Sequence, residues 1–126
     1  MGQPKPKNDS ADDTLIDRAY LARFTMGNAG LEREILELFT GQMPRLVSDL
    51  RNATTHKAWT LAAHTIRGSA LAIGARDLAN LAQIAESLDW NMEPAERDRV
   101  REQAADAVAL ASDHVCRHIA CLFATG

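Results

Sequence analysis

Aromatic residues are scarce in this 126-residue chain, at 5%. Alanine and leucine recur instead, which suggests a core of helices packed closely on one another. Cysteine is scarcer still: Cys116 and Cys121 sit close together near the C-terminus. Two such residues do not make a disulfide framework, so a reducing compartment is expected. Basic charge is also in short supply, with 14 Lys and Arg against 17 Asp and Glu and a net charge of -3. No field exists to hold a phosphate backbone, so no nucleic-acid partner is expected. No apolar run approaches the roughly 20 residues of a membrane span. The opening MGQPKPKNDSADD lacks an apolar signal region, and Pro6 stands where a myristoylation motif wants Ser or Thr. A cytoplasmic location away from membranes is expected, and the Asn52-Ala53-Thr54 sequon is then without consequence. There is no period-two stretch long enough for a strand. There is no glycine-rich phosphate loop either, so no kinase activity of its own is expected.

What remains is ordinary globular material, 46% hydrophobic and 25% charged, of a length for one domain. Residues 1–12 carry Pro4, Pro6, Lys5 and Lys7 with nothing to bury and read as a mobile tail, leaving 13–126 as the domain. Asp13 or Thr14 is expected to cap a short helix containing Leu15, Ile16, Ala19, Tyr20 and Phe24, broken by Gly27-Asn28-Ala29-Gly30. A second helix carries Leu31, Ile35, Leu38, Phe39, Met43, Leu46 and Leu50 at three-and-four spacing, with Pro44 expected to bend it. The third spans Lys57 to Ile73 and stops at Gly74; the fourth runs from Arg76 to about Trp90. The fifth opens at Pro94 and carries Val100, Ala104, Val108, Ala111, Val115, Ile119 and Leu122. Short connections favour antiparallel neighbours. The expected fold is all-α, an antiparallel up-down four-helix bundle with a short additional N-terminal helix.

The third helix has a residue that does not serve burial. At about 100° per residue, Trp59, Ala62, Ile66 and Ile73 cluster on one side. His64 points the other way, beside Lys57, Thr60, Arg67, Gly68 and Leu71. Glycine inside a helix costs about 1 kcal/mol relative to alanine, yet an alanine-rich sequence keeps Gly68. One turn from His64, it leaves bare backbone where a bulky group can dock. Arg67, at i+3, can grip oxygens bidentately over the same spot. An exposed imidazole, an adjacent cation and a cleared surface suit a nucleophile that holds a phosphoryl group.

The run Ala63-His64-Thr65-Ile66-Arg67-Gly68-Ser69-Ala70, followed by Ile73-Gly74-Ala75 and Leu78, closely resembles the phosphoacceptor motif of histidine phosphotransfer (HPt) domains. Weaker similarity includes Ile16-Asp17, Phe39, Leu50 and Glu86, so that the resemblance spans roughly Thr14 to Glu86. It implies a helical bundle that takes a phosphoryl group from a receiver-domain aspartate and passes it to another. His64 would be phosphorylated through Nε2, Arg67 would balance charge, Gly68 would admit the receiver's loops and Glu86 would hydrogen-bond the imidazole. The family more often has lysine where Arg67 stands, and varies between acid and amide at Glu86. The implied partners are response-regulator receivers and the receiver of a hybrid histidine kinase. No cofactor is implied on this chain, since Mg²⁺ belongs to the receiver, and a monomer is expected.

Leu61 and Leu71 flank His64 and read either as helix-edge residues or as an apolar rim that receives the partner, while Lys57 and Thr60 join Arg67 and Gly68 as expected partner-binding residues. His56 reads as a loop or helix-start residue. His114, His118 and Cys121 share a stripe and are zinc-ligand types, but no fourth ligand is evident and no metal is expected. A kinase dimerisation helix is disfavoured because Thr65 and Ile66, rather than an acidic residue, follow the histidine. The alternative function is a helical adaptor that binds a response regulator or another partner without carrying phosphate.

Overall fold

The computed structural model describes residues 15–124, and these form five α-helices with no strand among them. In chain order they are α1 (Arg18–Thr25), α2 (Ala29–Asn52), α3 (His56–Ala72), α4 (Arg76–Glu86) and α5 (Pro94–Ala124). Helix α2 packs on α3 and α5, and α4 packs on the same two, so four helices close around one core; α1 rests on α2. The all-α expectation therefore holds.

Polar caps set three of the starts. Asp17 Oδ1 accepts from Tyr20 N at 3.0 Å, Asn28 Oδ1 from Leu31 N at 3.0 Å, and Thr55 Oγ1 from Ala58 N at 3.1 Å. The cap of α1 is thus Asp17; Asp13, Thr14 and the expected tail 1–12 lie outside the described residues. Between α1 and α2 the chain turns through left-handed Met26 (φ 54°) and Gly27 (φ 78°) only, so Ala29 and Gly30 belong to α2 rather than to the break. Helix α2 continues through Pro44 without interruption.

The buried stripe of α2 is Leu36, Phe39, Met43 and Leu50, flanked by the half-buried Ile35 and Leu46. Leu31 and Leu38, expected on that face, are exposed. Leu38 lies about 200° around the helix from Leu36, which the expectation had omitted. Phe24, within the first helix as expected, is 62% exposed and meets Tyr20 edge-on with ring centroids 5.1 Å apart. Helix α4 ends at Glu86, short of Trp90, where Ser87 Oγ donates to Gln83 O at 2.9 Å and the chain departs. That departure brings Trp90 back over Trp59, with ring centroids 6.4 Å apart.

Trp59 is the largest buried side chain and ties α3 to α4, its Nε1 donating to Ala85 O at 2.6 Å. Small residues (Ala62, Ala63, Ala70, Ala79, Ala82 and Ala85) fill the core around it and let the helices approach closely. The turn after α3 holds the N-terminal segment. Gly74 takes φ +74°, and a Cβ there would lie 2.6 Å from Asp17 Cβ. Asp17 N donates to Gly74 O at 3.1 Å, while Arg76 places Nη1 and Nη2 each 2.8 Å from Asp17 Oδ2. Buried Ile16 is locked down by this clasp.

Helix α5 corrects one expectation. It is long and apolar enough, by length and composition, to cross a membrane, with an 18-residue window of mean hydropathy 1.2. Its buried residues Ala105, Val108, Ser112, Val115 and Ile119 form the stripe that packs into the bundle. The same helix carries the ion pair Arg117–Asp113 at 3.0 Å.

Candidate functional site

Helix α3 separates two kinds of residue around its axis. Trp59, Ala62, Ala63, Ile66 and Ala70 face the core, while Leu61, His64, Thr65, Gly68 and Leu71 are exposed. The amphipathic period alone enforces this, since the buried residues recur at three and four. Leu61 is 64% exposed and Leu71 44%, an apolar rim on either side of the imidazole. Thr60 is half-buried and Lys57 exposed.

The neighbouring helix completes the arrangement. Helix α4 ends beside the middle of α3, so Glu86 reaches across with Oε2 3.0 Å from His64 Nδ1. Its other oxygen, Oε1, accepts from Arg67 Nε at 3.1 Å. Arg67 Nη2 also lies 3.1 Å from His64 Nδ1. A guanidinium only donates and a carboxylate only accepts, so one Nδ1 cannot satisfy both. With the proton on Nδ1, the carboxylate takes two charge-assisted bonds, one from the ring and one from the arginine. The ring is then fixed in orientation and tautomer, and the Nε2 lone pair is free for chemistry.

The His64 side chain is 58% exposed, against 30% for Arg67 and 22% for Glu86. The imidazole is thus the most open group of the three, while Arg67 and Glu86 are partly sheltered. Nothing lies within 4 Å of a Cβ placed on Gly68, so no internal packing accounts for that glycine. From His64 a groove of about 550 Å³ runs back along α3, lined by Glu86, Leu61, Thr60, Lys57 and His56.

The structure thus brings together His64, Arg67, Glu86, Thr60, Leu61 and Lys57, with Gly68 and Leu71 continuing the face beyond the groove. Sequence reading placed His56 at a loop or helix start, and it is the first residue of α3, but gave neither it nor Trp90 a part in the site. The ring of His56 stacks on Trp90 with centroids 5.3 Å apart and 13° between planes. One signal was present: His56, Thr60 and His64 stand at i, i+4 and i+8, a single line on a helix. Trp90 gave none, because its approach depends on how the chain leaves α4. Among the described residues no group of three His, Cys, Asp or Glu is placed to hold a metal ion.

Comparison with known proteins adds the family. No curated protein and no solved structure matches the chain. A family model described as Hpt domain matches residues 34–115. The match takes in α2 from Glu34, all of α3 and α4, and α5 as far as Val115. It therefore reaches further along the last helix than the motif resemblance, and it leaves Ile16-Asp17 outside. With an imidazole, a cation and a carboxylate at the exposed centre of the matched segment, the chain belongs to the Hpt domain family.

Proposed function

We propose that this protein is a phosphocarrier that accepts a phosphoryl group on His64 Nε2 from a receiver-domain aspartate and passes it to the aspartate of another receiver. The observation that carries this reading is the exposed His64 ring with its Nδ1 engaged by Glu86 at 3.0 Å. In the forward step the Nε2 lone pair forms an N–P bond. The P–O bond to the aspartyl oxygen breaks, and its electron pair leaves with the carboxylate. The Nδ1 proton stays in place, so the ring becomes cationic, and Glu86 offsets that charge. Arg67 reaches the phosphoryl oxygens. Transfer onward is the reverse step, in which the imidazole is the leaving group.

The receiver supplies Mg²⁺ and most of the catalytic groups, so this chain has no independent kinase activity. Gly68 admits the receiver's loops, and Lys57, Thr60, Leu61 and Leu71 form the rim. Donors and acceptors include a hybrid kinase's receiver and response-regulator receivers, met in the cytoplasm by a monomer. The scaffold for this exchange is an up-down antiparallel bundle, in keeping with the three-residue connections 53–55 and 73–75.

The test is intact mass after mixing with a panel of phosphorylated receiver domains from the same genome. Wild type is expected to gain one phosphoryl group, labile to acid and stable to base. His64→Gln is expected to gain none while keeping its helical spectrum and its binding to the receiver. Binding without transfer in wild type would instead make the protein an adaptor.

A further inference from the structure

An exposed histidine on a helix usually swings freely, but His56 does not. Its ring lies flat on Trp90, 5.3 Å between centroids and 13° between planes. Trp90 is itself held from other directions: the Arg101 guanidinium is 4.5 Å from its centroid and that of Arg97 5.3 Å. Trp90 Nε1 has no hydrogen-bond partner, so stacking rather than hydrogen bonding positions this ring. Arg101 is fixed in turn, because its Nη2 donates to Ala53 O and its guanidinium lies 5.1 Å from the Trp59 centroid. The column from Trp59 through Arg101 and Trp90 thus anchors an exposed imidazole to the core. No hydrogen bond occupies either His56 ring nitrogen among the described residues.

The imidazole is also placed where a partner must pass. His56 and Lys57 form the far end of the groove that begins at His64 and Glu86, with Thr60 and Leu61 between. Eight residues at 1.5 Å each put His56 about 12 Å from His64 along the helix. That is within the footprint of any domain large enough to present an aspartate to His64. The two ends of the exposed face differ in chemistry. Beyond Gly68 it offers Leu71 and Ala72, both apolar. Toward the start of α3 it offers an ammonium and a fixed imidazole. The one carboxylate in the groove, Glu86, is already engaged by His64 and Arg67.

We infer that His56, clamped on Trp90, is a specificity-determining residue that together with Lys57 receives a carboxylate on the rim of the receiver domain, some 12 Å from the transferred phosphoryl group. This rests on the phosphocarrier reading. The contact selects among receivers and sets how the bound one is turned about His64. Preorganisation is what the stack contributes: the ring is already fixed before the partner arrives, so less freedom is lost on binding.

The test uses the full chain and the receiver domain that transfers fastest to wild type in the genome panel. His56→Phe keeps a flat ring on Trp90 and removes both nitrogens. It is expected to raise the KM for phosphorylated receiver about tenfold with little change in kcat, the loss of one charge-assisted hydrogen bond. Lys57→Gln is expected to do likewise and to flatten the salt dependence of KM. Labelling of His64 by phosphoramidate, a small donor that needs no docking, is expected to match wild type in His56→Phe. Transfer by His56→Phe with wild-type KM toward every receiver of the panel would overturn the inference and leave the phosphocarrier reading intact. Wild type that takes up no phosphoryl group from any receiver would overturn the reading itself. A His56→Phe variant slow with phosphoramidate too would show that the ring supports His64 rather than the partner, which also overturns the inference.

Discussion

Two glycines of similar appearance in the sequence have opposite reasons for being glycine. Gly68 sits in helical backbone with open space where a Cβ would go, whereas Gly74 is left-handed and pressed against Asp17. Gly68→Ala is therefore expected to stabilise the fold by up to about 1 kcal/mol, the helix propensity recovered, while Gly68→Gln slows transfer from a receiver. Denaturant titration beside a transfer assay separates the two effects; wild-type transfer by Gly68→Gln would count against a partner passing there. Gly74→Ala is expected to cost about 2 kcal/mol or more, since strain at positive φ adds to a 2.6 Å approach that Asp17 must relieve. Its helical spectrum would survive and its unfolding midpoint would fall. Both places were legible along the chain, an interior position for Gly68 and a helix stop for Gly74. Sequence alone could not tell which one contacts another part of the chain, because Asp17 is remote in sequence and adjacent only after folding.

The two cysteines separate at the same scale. Burial pushes the Cys116 thiol above its ordinary value; a hydrogen bond with Ser112 opposes this, and the charge of Asp113 adds to it. Cys121 is exposed. Alkylation at mildly alkaline pH, followed by peptide mass, is expected to label Cys121 first and Cys116 much more slowly. The folded chain holds the Cys116 proton to higher pH than the unfolded chain does. Its contribution to stability is therefore complete below the ordinary thiol value and is lost as pH rises through the raised one. A Cys116→Ser variant removes that alkaline loss, which denaturant titration across pH would register.

At the scale of elements, helix existence was legible and helix ends were less so. The starts of α2 and α3 follow from Asn28 and Thr55, whose side chains bond the first free N–H groups. The end of α4 did not follow from any residue, since neither glycine nor proline stands near Glu86. Trp59 fixes how α3 and α4 sit together: its Nε1 donates at 2.6 Å to Ala85 O in the core, an oxygen that also accepts from Leu88 N at 3.3 Å. Trp59→Phe is expected to cost about 1–3 kcal/mol, from the lost ring volume and the lost side-chain hydrogen bond. Because the same contact aligns Glu86 with His64, phosphoramidate labelling is expected to slow as well. An unchanged rate with a lowered midpoint would show that the alignment survives without it.

Over the whole molecule, α1 contributes although it lies outside the segment matched by the family. Ile16 and Leu21 are fully buried, and the clasp of Asp17 on Gly74 and Arg76 ties this part to the α3–α4 turn. A chain beginning at Asn28 is expected to lose about 4 kcal/mol or more, from two aliphatic side chains at about 2 kcal/mol each. Denaturant titration checks this, and a midpoint equal to that of the full chain would make α1 an accessory. What the sequence by itself determined is what depends on neighbours along one helix: the all-α class, the inward stripes of α3 and α5, and an imidazole, a cation and a glycine on one exposed face. Tertiary structure decided which residues from different helices meet: Glu86 with His64 and Arg67, Trp90 with His56, and Asp17 with Gly74. Helical periodicity fixes where a side chain stands around its own axis. The angle and register of the next helix come from core packing, a property of all the elements at once.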